Sequence, residues 1–194
     1  DFDEEKLTEM INRRIRVEKV AIKDVKMRTF ITEDSNRTEM VQHVYDVTYG
    51  TVRNGEDTLV VIDDSIVRGT TLKESIVRML SRLSPKKILI VSSAPQIRYP
   101  DCYGIDMSKL GDFIAFRAAI ALLKESGRES LLDELYARCK EMHRNNHLHT
   151  ENLVKQVYKP FTPEQISAKI AQLITPPEVN LPVELIYQTI EDLH

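Results

Sequence analysis

The chain has 194 residues, of which 42% are hydrophobic and 29% charged, and its net charge is −3. That length supports one good core with a small appendage. The charge argues against a nucleic-acid surface, and no apolar stretch approaches the length of a membrane span.

The first thirty residues are charged throughout and do not read as a secretory leader. Residues 1–27 look helical, with Leu7, Met10, Ile11 and Arg13-Arg14 in a charged amphipathic run; a helix is expected near 4–14 and a strand near 17–22. A short strand is expected near 27–31, a helical or loop segment at 35–44, and a strand within 45–52. The run 58–62 is rich in β-branched residues and reads as a buried strand. A helix at 70–83 and a second strand at 87–92 complete a β-α-β unit with a right-handed connection. A helix at 112–126 follows, its apolar face formed by Phe113, Ile114, Phe116, Ala119, Ile120 and Leu123, with Gly127 as C-cap. Another helix is expected from 129 to 143. Thr162-Pro163-Glu164-Gln165 reads as a capping box with proline at N1, opening a helix that ends near Ile174, before Pro176-Pro177. The stretch 183–190 reads as extended. The sequence divides into residues 1–126 and a C-terminal helical extension and tail, 127–194, without internal repeats.

The most informative segment is Val60-Val-Ile-Asp-Asp-Ser-Ile-Val-Arg-Gly-Thr-Thr71. A strand runs into paired carboxylates, Asp63 and Asp64, then a short loop and a helix N-terminus. α/β proteins bind phosphates with this arrangement. Paired carboxylates accept hydrogen bonds from vicinal hydroxyls. Gly69 permits positive φ or close backbone approach. Ser65, Thr70 and Thr71 bring hydroxyls and can cap the helix, and Arg68 adds a charge or points to solvent. A second segment, Ser92-Ser-Ala-Pro-Gln-Ile-Arg-Tyr-Pro-Asp-Cys-Tyr-Gly-Ile-Asp-Met107, follows the next strand. A third is Arg28-Thr29-Phe30-Ile31.

The first string resembles the phosphoribosyl pyrophosphate (PRPP) motif of type I phosphoribosyltransferases. With the other two segments, over about residues 20–120, it is similar to the amidophosphoribosyltransferase family. That resemblance implies an α/β fold: a mainly parallel sheet with helices on both faces, incomplete at its N-terminal side. It implies a role in forming 5-phosphoribosylamine from PRPP and glutamine-derived ammonia, the first step of de novo purine synthesis. Asp63 and Asp64 would hold the ribose hydroxyls and touch Mg²⁺ carried by PRPP. Ser65, Ile66, Val67, Arg68, Gly69, Thr70 and Thr71 would cradle the 5′-phosphate. Tyr103, Gly104, Asp106, Arg28 and Thr29 are candidate sugar or nucleotide contacts. Purine nucleotides would act as feedback inhibitors on a cytoplasmic homo-oligomer, with no nucleic acid or membrane involved. A non-catalytic PRPP or nucleotide sensor is the alternative.

The chain also departs from the family. Nothing corresponds to its glutaminase half. No glycine or proline before Gly50 offers the tight turn of a pyrophosphate loop, so the fragment alone is expected to be weakly active or inactive. The region after Arg28-Thr29-Phe30-Ile31 has only Arg37 as a clear cation, so phosphate-binding basic residues of the family's flexible loop have no clear counterpart. Two cysteines, Cys102 and Cys139, make no disulfide framework and fit a reducing compartment. Cys102 stands one place from the family's cluster ligand and its partner cysteines are missing, so no iron–sulfur cluster is expected. His143, His147 and His149 read as a polar surface turn rather than a metal site.

Overall fold

The computed structural model describes residues 3–12, 21–23, 45–47, 50–101, 107–145 and 151–193. In chain order these form α1 (Glu4–Asn12), β1 (Ala21–Lys23), β2 (Tyr45–Val47), β3 (Thr58–Asp63), a π-helical segment Leu72–Val77 that continues as α2 (Arg78–Ser81), and β4 (Lys87–Ser92). Then come α3 (Ile114–Glu125), α4 (Ser130–Arg144), α5 (Lys155–Tyr158), α6 (Pro163–Ile174) and β5 (Val183–Tyr187). The strand expected at 27–31 and the segment 35–44 lie outside the described residues.

β3, β4 and β5 form a parallel sheet in that order, and β1 and β2 a separate antiparallel pair. With its flanking helices this is an α/β fold, consistent with an incomplete phosphoribosyltransferase-like architecture. β4 is central. Ile88 and Ile90 are fully buried and abut Leu59 and Val61 of β3 on one side and Val183 and Leu185 of β5 on the other. Burying each such side chain stabilises the fold by about 1.5–3 kcal/mol.

α3 packs on α6, and α6 on β5. α3 buries Ile114, Ala115, Ala118, Ala119 and Leu123, its small alanines admitting Ile166, Ile170 and Ile174 of α6 into one core. Phe113 is fully buried just before the helix, whereas Phe116 and Ile120 are half-buried at its margin. α6 opens as the capping motif requires. The Gln165 N–H donates to the Thr162 hydroxyl at 3.3 Å, and the Thr162 N–H donates to Gln165 Oε1 at 2.9 Å. α3 ends in a Schellman turn, with Gly127 at φ +67 and the Arg128 N–H donating to the Leu123 carbonyl at 2.8 Å.

The reading of 58–62 as a buried strand needs correction. Its residues alternate: Leu59 and Val61 face the core, while Val60 is 57% and Ile62 77% exposed. Among the described residues β3 is an edge strand, and none of their helices covers the face that carries Val60 and Ile62. Ile186 of β5 is exposed too, at 52%.

The third strand comes from the C-terminal stretch read as extended. Leu135, Leu153, Tyr158, Ile170 and Leu185 belong to the same buried cluster as Ile66, Ile88 and Ile90, so residues beyond 126 share the core of those before it. A large-to-small change there should therefore weaken the whole unit. Ile170→Ala is expected to lower the unfolding free energy by about 2–5 kcal/mol, seen in urea as a single transition shifted to lower denaturant. A C-terminal segment melting by itself, with the β3–β4 signal unchanged, would contradict a shared core.

Candidate functional site

The site is the turn that leaves β3. Asp63 is the last residue of the strand and half-buried, Asp64 is exposed, and their carbonyls are held from the neighbouring strand end. The Ser93 N–H donates to the Asp63 carbonyl at 2.9 Å, and the Ser93 hydroxyl reaches the Asp63 and Asp64 carbonyls at 3.3 and 3.2 Å. The carboxylates fold onto the backbone that follows. Asp63 Oδ1 accepts from the Asp64 N–H at 3.1 Å and Asp64 Oδ1 from the Ser65 N–H at 2.7 Å. Burial, and next the Asp64 charge, push the Asp63 carboxyl above its ordinary range. A group in that state gains from hydroxyl donors or a cation.

The loop is anchored by an apolar plug and a backbone clamp. Ile66 is 2% exposed, and the Ile114 N–H at the start of α3 donates to the Val67 carbonyl at 2.8 Å. Gly69 serves both purposes considered for it. Its φ is +71, and a Cβ there would stand 3.0 Å from Ile174 Cγ2 and 3.4 Å from Ile114 Cγ1. Arg68 is half-buried and pairs with Asp112 at 3.8 Å.

Helical structure begins at Thr70, and the Lys73 N–H donates to the Gly69 carbonyl at 3.0 Å. Thr71 does not cap it: its own backbone is already helical and its side chain makes no capping hydrogen bond. Ser65, Thr70 and Thr71 are exposed, so their hydroxyls face outward at the loop rim. The first full turn is π-helical, a widening found often at functional sites.

In the second segment, Tyr103, Gly104 and Asp106 lie outside the described residues, as do Cys102, Arg28 and Thr29. The flanks of that gap are joined by the Asp101 N–H donating to the Met107 carbonyl at 3.0 Å. Residues 96–99 are tied to the C-terminal helices. Gln96 Nε2 donates to the Pro163 carbonyl and the Ser167 hydroxyl at 2.7 and 2.8 Å, and Gln96 Oε1 accepts two hydrogen bonds from Arg98. The Tyr158 hydroxyl donates to the Arg98 carbonyl at 2.8 Å. A cleft of about 1480 Å³ lies along β5 and α6 beside Gln96, Arg98 and Tyr99; Tyr187 lines it, but no residue of the Asp63–Thr71 turn does. An open cleft of that size marks a surface; the chemistry-bearing residues stand at the strand end, and the candidate site is placed there.

Sequence reasoning did not single out Ser93, which braces the turn, or Tyr187, whose hydroxyl lies near it. Ser93 carries no signal beyond its place at the end of the next strand. The Tyr187 hydroxyl is buried near Asp63 and reaches the strand ends only through sheet register. Of the three histidines, His143 sits in the last turn of α4, and His147 and His149 lie outside the described residues. Among the described residues no group of three His, Cys, Asp or Glu side chains could hold a metal, and no helix is long and apolar enough to cross a membrane.

Over 58 residues the chain is 52% identical to the amidophosphoribosyltransferase of Pasteurella multocida (strain Pm70), a match covering 30% of this chain and 11% of that protein. The chain carries a segment homologous to amidophosphoribosyltransferase. The enzyme of that name from Escherichia coli (strain K12) is 47% identical over 57 residues, covering 29% of this chain and 11% of the enzyme. The Saccharomyces cerevisiae amidophosphoribosyltransferase is 47% identical over 58 residues, covering 30% and 11%. The chain thus matches about a tenth of the length of these amidophosphoribosyltransferases, over a shorter stretch than the three motifs span. No family model matches the chain.

Two outcomes follow from the turn's geometry. Gly69→Ala should destabilise the protein in urea by at least about 1–2 kcal/mol, the cost of a left-handed non-glycine residue, with crowding against Ile174 adding to it. Asp63→Asn should act with pH. A carboxyl whose folded pKa is raised contributes stability below its unfolded pKa and loses it as pH rises through the folded value. The variant is therefore expected to be more stable than the parent at neutral pH, the gap closing as the pH falls through the acid range. Urea midpoints across pH give the comparison, and a gap that widens in acid would contradict the sign.

Proposed function

We propose that the β3–loop–helix unit binds the ribose 5-phosphate part of PRPP in an amidophosphoribosyltransferase. That enzyme would form 5-phosphoribosylamine from PRPP and glutamine-derived ammonia in the first step of purine synthesis. The observation that carries this reading is the turn itself: two carboxylates at the carboxyl end of a parallel strand, then a clamped loop whose left-handed glycine opens a helix. The segment homology supports it.

Asp63 and Asp64 accept hydrogen bonds from the ribose diol. Those donors offset the burial, and next the Asp64 charge, that raise the Asp63 carboxyl. Asp64 accepts from the Ser65 N–H through Oδ1 and keeps its second oxygen for the sugar. The exposed hydroxyls of Ser65, Thr70 and Thr71 donate to the 5′-phosphate, and the first helical turn adds partial positive charge.

The reaction is a displacement at C1. The nitrogen–C1 bond forms as the bond from C1 to pyrophosphate breaks, and the pyrophosphate leaves with the electron pair. No protein nucleophile is needed, so the chain's contribution is orientation of the sugar. Two carboxylates are hard oxygen donors and too few for a protein-built cage. That suits Mg²⁺ arriving on the substrate's phosphates, with Asp63 and Asp64 touching it directly or through water. When bound, the ion neutralises charge on the leaving group.

Titration calorimetry with PRPP plus Mg²⁺, AMP and GMP tests the reading. The parent chain should bind, and an Asp63→Asn, Asp64→Asn double variant should lose at least about tenfold in affinity, the lower end for hydrogen bonds to charged groups. Equal heats from the two proteins would remove the diol assignment, and no heat from the parent would remove the ribose-phosphate reading for this chain.

A further inference from the structure

The carboxyl ends of the three parallel strands form one polar row. Asp63 of β3 is in register with Ser92 of β4, and Ser92 with Tyr187 of β5. Residues in register on parallel strands share a face, so the three side chains stand on the helix-covered side of the sheet. Asp63 and Tyr187 are two strand spacings apart, about 10 Å between their backbones, within the combined reach of a tyrosine and an aspartate.

Ser92 is 1% exposed, and its hydroxyl donates to the Ala94 carbonyl at 2.9 Å, which commits its proton. Tyr187 differs. Its hydroxyl oxygen is shielded from solvent and, among the described residues, has no hydrogen-bond partner. A buried donor left unsatisfied is costly, and native folds rarely keep one. Burial and then the Asp63 charge hold the phenol well above its ordinary range, so it remains a neutral donor. On the other side, the Asp63 carboxylate has one donor among the described residues, the Asp64 N–H. A buried donor without an acceptor therefore shares a row with a carboxylate short of donors.

We propose that Tyr187 is a positioning residue for Asp63: its hydroxyl donates to the Asp63 carboxylate, directly or through one water, and fixes the orientation in which that carboxylate meets a sugar diol. The diol role rests on the function proposed above; the hydroxyl–carboxylate pair does not.

A double-mutant cycle on the full chain separates the two. Tyr187→Phe keeps the ring and its packing and removes only the donor, and Asp63→Ala removes the acceptor. Ribose 5-phosphate is titrated calorimetrically into the parent, both single variants and the double variant. Tyr187→Phe should weaken binding about tenfold in the parent background, mid-range for coupled neighbours, and leave affinity unchanged when Asp63 is already alanine. A residue acting only through packing would give the same loss in both backgrounds, and that result, or no loss in either, would overturn the proposal. Urea midpoints of the same four proteins give a ligand-free cycle. If ribose 5-phosphate does not bind the parent, the ribose-phosphate reading falls and the urea cycle decides: non-additive midpoints keep the pair, additive midpoints overturn it.

Discussion

Gly69 occupies a seat that only glycine fits, and the loop geometry follows from it. Its left-handed backbone turns the chain from β3 into the helix, while the absent Cβ lets Ile174 of α6 and Ile114 of α3 close against the turn. The same Ile114 donates its N–H to Val67. Two helices distant in sequence, α3 and α6, thus converge on the loop. A loop gripped this way is held in one conformation before any ligand meets it.

The electrostatics of the turn run the other way. Packing rigidifies the loop, yet burial, and next the charge of Asp64, disfavour the ionised Asp63 carboxyl at its start. Strain of this kind is concentrated where a ligand can relieve it. Packing by Ile66, Ile114 and Ile174 holds in place a carboxyl, that of Asp63, whose charged form the fold disfavours.

How much of this was legible depends on whether the signal is local. The runs 58–62 and 87–92 announced strands through their β-branched residues, and Thr162 to Gln165 announced a helix start to the residue, because caps and strand propensity act over a few positions. The left-handed turn at Gly69 was readable for the same reason. The exposure of Val60 and Ile62 was not: a continuous apolar run looks buried on both faces until topology places it at an edge. Thr71 failed as a cap because the helix starts before it. Tyr187 was invisible because its place beside Ser92 and Asp63 is created by register across strands separated by more than ninety residues in sequence. Local pattern said that 183–190 is extended and could not say what it pairs with.

The bridge through Gln96 ties the segment after β4 to a helix about seventy residues later in the chain. Its amide grips the Pro163 carbonyl and the Ser167 hydroxyl on α6 while steadying Arg98, and Tyr158 holds the Arg98 carbonyl from α5. α6 in turn presses Ile174 against Gly69. The second motif, through Gln96, and the loop after β3, through Gly69, are separate in sequence yet rest on the same helix. A substitution that shifts α6 therefore reaches both segments at once.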